Sequence, residues 1–147
     1  MPAIAARRTA LAIAAILAAL YLGNGFAMVT APHAWYGAVP GVAASGPLNA
    51  HFVRDIGFAY LVAGTAFAWT LCRPSRLAAC ALVGSAWPAL HAVAHLAEWL
   101  HHGPPPAPIL LADGLGVLIP ALLGLALATW APRAPAGTEH PRGEKSC

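Results

Sequence analysis

Residues 77–102 read LAACALVGSAWPALHAVAHLAEWLHH. From Leu77 to Leu90 every side chain except Ser85 is apolar or small, and then four histidines and Glu98 follow within twelve positions. An apolar run this long matches a bilayer, whose hydrocarbon core takes roughly 20 helical residues at about 1.5 Å rise each. The polar end of the run poses two options. Either a site lies within the membrane, or the helix is ending in water.

The rest of the chain repeats the pattern. Thr9–Ala31, Ala50–Cys72 and Ile109–Ala131 are apolar runs of the same scale as Leu77–Leu100. Of the 147 residues, 59% are hydrophobic and only 9% charged, and the mean hydropathy is +0.67. Soluble domains carry about 25% charged residues, so this composition excludes an ordinary soluble protein. Segments in lipid must satisfy their backbone groups internally, which makes each run a helix. The expected fold is therefore an all-α, up-down-up-down four-helix membrane bundle over residues 1–131. A polar tail, 132–147, is expected to be disordered. Abundant Ala and Gly allow close helix approach where apolar attraction between helices is lacking. Pro88 and Pro120 are expected to kink their helices.

Basic residues orient the bundle. Arg7 and Arg8 precede the first run, Arg73 and Arg76 join the second to the third, and Arg133, Arg142 and Lys145 follow the fourth. With both termini in the cytoplasm, all seven fall inside, as the positive-inside rule requires. That topology accounts for the net charge of +3 without a nucleic-acid partner. Arg7-Arg8, the apolar run and Gly25-Phe26-Ala27 also fit a cleaved signal peptide. The run continues to Ala31, long enough to span, so a retained helix is expected.

Three of the five acidic residues, Asp55, Glu98 and Asp113, lie within expected spans. Burying an Asp at a helix centre costs on the order of 2.5–3.5 kcal/mol by insertion scales, so such residues mark sites. Counted from the outer ends, Asp55 and His95 lie about 7 Å deep, Asp113 about 6 Å and His91 about 13 Å. Asn24 of the first helix falls at a comparable level. One outer slab thus holds polar residues from all four helices.

Spacing sharpens the set. His51 and Asp55 stand at i and i+4, and His91, His95 and Glu98 at i, i+4 and i+7, so each group shares a helix face. Two histidines one turn apart commonly hold a metal, with a carboxylate from a neighbouring helix completing the set. The expected ligands are His51, Asp55, His91, His95, Glu98 and Asp113, for zinc, copper or iron, possessing redox or hydrolytic chemistry if catalytic. Two other uses are b-type haem ligation and a proton relay. In the alternative class the chain is a non-catalytic accessory subunit or homo-oligomer, its polar layer serving hydrogen bonds between helices. His33, His101, His102 and His140 read as solvent-facing. Trp35, Tyr36, Trp69, Trp99 and Trp130 read as interfacial aromatics.

Enzyme signatures are missing: no Gly-rich phosphate loop, no nucleophile elbow, no H-E-x-x-H and no C-x-x-C-H. Cys72, Cys80 and Cys147 form no metal spacing.

The run Asn49-Ala50-His51-Phe52-Val53-Arg54-Asp55-Ile56-Gly57, continuing to Ala59-Tyr60-Leu61, resembles a stretch of small uncharacterised four-helix bacterial membrane proteins. The layout also resembles that of the DoxX-like group. The resemblance implies a bacterial inner-membrane location and no specific activity. DoxX-like proteins are associated with redox complexes and thiol stress, but no motif here carries that role over.

Overall fold

A computed structural model describes residues 2–130. Those residues are helical throughout, apart from short connections, and contain no strand. Helix α1 spans Pro2–Thr30, α2 Pro32–Ala38, α3 Ala50–Cys72, α4 Leu77–His102, α5 Ala107–Asp113 and α6 Ile119–Trp130. Single turns of 3-10 helix lie at Val42–Ser45 and Pro74–Arg76. A π turn, Gly114–Leu118, joins α5 to α6. Four segments, Ala3–Thr30, Ala50–Cys72, Pro74–His102 and Ala107–Thr129, are long and apolar enough to cross a membrane. This is the architecture of a multi-pass membrane protein.

Local chemistry sets the element ends. Asn49 caps α3, its side-chain oxygen accepting the Phe52 amide at 3.1 Å. Ala31 leaves the helical region (φ −135°, ψ 55°) because the ring of Pro32 disfavours helical backbone before it. Gly103 ends α4 at φ 83°, a conformation glycine adopts without a Cβ penalty. Helix α1 begins well before residue 9, so Arg7 and Arg8 lie inside it as exposed side chains. Helix α4 continues as one element through Pro88. The fourth span does deviate, at the π turn directly before Pro120.

The spans pack in sequence order, α1 on α3, α3 on α4 and α4 on α6, while α1 and α6 meet only lightly. Neighbours are antiparallel. Gly25 faces Gly57 while Leu22 faces Gly64; Phe67 faces Gly84 while Tyr60 faces His91; Ser85 faces Gly124 while His95 faces Asp113. The α1–α3 contact is backbone-close. A Cβ built on Gly25 would lie 2.7 Å from the Gly57 carbonyl oxygen, and one on Gly64 2.8 Å from the Leu22 amide nitrogen. Such small-residue contacts supply the dispersion packing that holds helices together in lipid.

Tyr21, Phe67, Leu17, Thr70 and Ser85 form the fully buried centre. The two hydroxyls satisfy themselves locally, Thr70 donating to the Phe67 carbonyl and Ser85 to the Ala81 carbonyl, each at 2.6 Å. Ile16, Phe26, Phe58, Val62, Leu90, Val93, Leu115 and Leu122 point outward, as lipid-facing side chains would.

Two directions of charge follow from this geometry. Arg7, Arg8, Arg73 and Arg76 gather at the end where α1 begins and α3 passes into α4. Asp55, His95, Glu98 and Asp113 belong to the other end.

Candidate functional site

At the end opposite the arginines, α4 and α5 meet through a histidine and a carboxylate. His95 Nδ1 lies 3.1 Å from Asp113 Oδ2, with the side chains 27% and 13% exposed. Asp113 is the one acidic side chain buried among the described residues.

Asp113 ends α5, and the π turn starts at the next residue. The Ile119 amide reaches back to the Gly114 carbonyl, five residues away. Pro120 has no amide hydrogen to continue the regular ladder, which gives the widened turn a local cause. The turn exposes Gly116 and Val117 to the space beside the dyad, where both line a cavity of about 620 Å³.

An aromatic wall leads to the dyad. The Tyr21 and Tyr60 rings stand 5.7 Å apart, Tyr60 meets Trp87 edge-on at 4.8 Å, and Trp87 stacks on His91 at 4.9 Å and 14°. His91 in turn meets His95 edge-on at 4.7 Å. The wall thus crosses α1, α3 and α4 and terminates at the carboxylate of α5. All five rings line the cavity.

The roof comes from the α1–α3 connection. Trp35 of α2 donates its indole N–H to Asn24 Oδ1 at 2.8 Å, and the Asn24 amide approaches Met28 Sδ at 3.6 Å. Tyr36 donates its hydroxyl to the Gly46 carbonyl. Gly41, at φ 89°, brings the loop against Ile109 of α5. A Cβ there would lie 2.9 Å from the Ile109 side chain, so the roof touches the far wall closely.

The six expected metal ligands divide. His91, His95 and Asp113 come together around the cavity. His51 and Asp55 pair with each other instead, 3.5 Å apart and 89% and 54% exposed on the outside of α3. Glu98 is exposed on α4, one helical turn beyond His95. Among the described residues, no group of three or more His, Cys, Asp and Glu is arranged to hold a metal ion. Helical spacing placed residues on common faces correctly, but it did not say which face each helix turns inward. Asn24 does belong to the site, at the level expected for it.

His33, His101 and His102 are exposed, as expected. His140 and the 132–147 tail lie outside the described residues. Among the aromatics, Trp35 is half-buried and hydrogen-bonded within the site. Sequence reasoning passed over Tyr21, Tyr60 and Trp87 as site residues. The available signal was Trp87 one turn before His91 on the histidine face.

Family models, curated proteins and solved structures give no match to this chain.

Proposed function

We propose that this protein is a multi-pass membrane protein that binds a small, lipid-soluble molecule in the cavity between α1, α3, α4 and α5. The observation that carries the reading is the His95–Asp113 contact lining a largely apolar cavity of about 620 Å³. Its volume falls in the range of small-molecule sites, roughly 300–1,000 Å³, which pair apolar walls with a few convergent polar groups. The carboxylate is costly at this depth, and a purely structural bundle has no need of it. In the oriented molecule, the arginine end faces the cytoplasm and the cavity lies in the opposite half of the membrane. A bacterial inner membrane and a relation to DoxX-like proteins fit that layout.

The test is binding of 1-N-phenylnaphthylamine, a neutral apolar fluorophore, to the full chain in phosphatidylcholine nanodiscs. Saturable binding above that of protein-free discs is expected, and Gly116→Trp should abolish it. Gly116 lines the cavity and a Cβ there meets nothing within 4 Å, so the large ring fills space without displacing a neighbour. Binding that is absent, or unchanged by the filled cavity, overturns the reading.

A second reading is a metal site. His91 adjoins His95 and His95 adjoins Asp113, although the three as they stand are not arranged to enclose an ion, so their side chains would have to turn to do so. Zinc, copper or iron there would have both imidazoles and one carboxylate as donors, with His51, Asp55 and Glu98 taking no part. Elemental analysis of the purified protein and of His91→Ala tests it, and a visible spectrum of the same sample reports haem. A stoichiometric metal lost with His91→Ala supports this reading; metal-free protein that takes up none on incubation removes it.

A further inference from the structure

The charge and ring content of the cavity narrow its ligand. Its lining includes Asp113 as the one Asp or Glu side chain and contains neither Lys nor Arg. The nearest basic side chain along α3, Arg54, is exposed and spends its Nε on the Val29 carbonyl at 3.2 Å, outside the cavity lining. A phosphate, sulfate or carboxylate headgroup would therefore meet the Asp113 carboxyl with no Lys or Arg side chain in the lining to receive it. The N-terminus of α3 reaches the lining at Asn49 and Phe52, and the Phe52 amide there is already taken by the Asn49 side chain.

The walls favour the opposite charge. Tyr21, Tyr60, Trp35 and Trp87 all line the cavity, drawn from α1, α3, α2 and α4. Aromatic faces attract organic cations through the ring quadrupole, most strongly where water is excluded. A buried carboxylate beside them adds a full countercharge that low dielectric screens little. Small inorganic cations find few oxygen ligands here. The polar atoms of Asn24 already face Trp35 and Met28, and Asn49 caps its helix.

We infer that the cavity binds a lipophilic organic cation, a protonated amine or quaternary ammonium or phosphonium, its charge against Asp113 and its apolar groups against the aromatic wall. This rests on the ligand-binding reading above and specifies its chemical class.

The experiment uses two probes of nearly equal size and opposite charge, tetraphenylphosphonium and tetraphenylborate. Each is titrated against the full chain in phosphatidylcholine nanodiscs, with protein-free discs subtracted. The phosphonium should bind saturably and the borate should not. Asp113→Asn keeps a hydrogen-bond acceptor for His95 and should weaken the phosphonium on the order of tenfold or more. A thermal melt of Asp113→Asn confirms that it remains folded. Equal binding of both probes, or phosphonium binding untouched by Asp113→Asn in the folded variant, overturns the cationic class and leaves the cavity reading standing. The same holds if the phosphonium fails while the neutral fluorophore binds and is lost with Gly116→Trp. Failure of all three probes overturns both readings.

Discussion

The two ends of this bundle are built from the same helices by different rules. Toward the arginine end, Phe67 packs against Gly84 and Gly124, whereas the close α1–α3 contact of Gly25 with Gly57 lies beside the cavity. The space at the arginine end is filled to the backbone, and the buried hydroxyls of Thr70 and Ser85 bond within their own helices. Toward the opposite end, large rings, a π turn and a roof loop surround a cavity, and the buried polar groups bond between elements. Dense packing supplies rigidity in one half, where each polar group is self-sufficient. The other half stakes its geometry on partners from different helices, and so is open to a ligand.

Glycine substitutions contrast close helix contact with open cavity most strongly. Gly25→Leu drives a side chain into the Gly57 carbonyl and the Leu61 amide, neither of which can rotate away. Thermal unfolding in detergent should register a loss of about 3 kcal/mol or more, or no folded protein. Gly116→Leu, in open space, should melt within about 0.5 kcal/mol of wild type. Equal effects at the two positions would break the contrast.

Asp113→Ala should come next. It leaves His95 half-buried without its carboxylate and should cost about 1–3 kcal/mol in the same melt. An unchanged melt would mean that the dyad does not hold α4 to α5. Trp35→Phe removes one hydrogen bond to Asn24 and keeps the ring, so a loss of about 1 kcal/mol is expected. Faster proteolysis within residues 32–49 should accompany it if Trp35 anchors the roof. The smallest effect belongs to His51→Ala. Its pair with Asp55 is exposed, and such pairs contribute little, so the shift should stay within about 0.5 kcal/mol. A large shift there would return His51 to the site.

The polar residues show how much of the site was legible beforehand. His91 and His95 stand one turn apart, and the antiparallel topology set Asp113 level with them, so their shared depth followed from helical rise. His51 and Asp55 satisfied the same two criteria, spacing and depth, yet they face outward. The difference is the rotation of α3 about its axis. That rotation is decided by Gly57 and Gly64 turning toward α1, which presents Val53 and Tyr60 to the interior and leaves His51 and Asp55 outside. Hydropathy carries no information about it, because lipid accepts apolar side chains on every face.

The sequence by itself determined that this chain carries four helices long and apolar enough to cross a membrane. Twenty or so apolar residues can satisfy their backbone only as a helix, and short polar connections force neighbours to run antiparallel. It also determined the level at which the polar residues sit, since depth is a count of residues. Only the tertiary structure decided which of them meet. The azimuth of each helix depends on close contacts between small residues on different spans, and the π turn and the α2 roof depend on Pro120 and Pro32 acting within that packing. Those long-range contacts bring His95 to Asp113 and Trp35 to Asn24, and they leave His51, Asp55 and Glu98 on the surface.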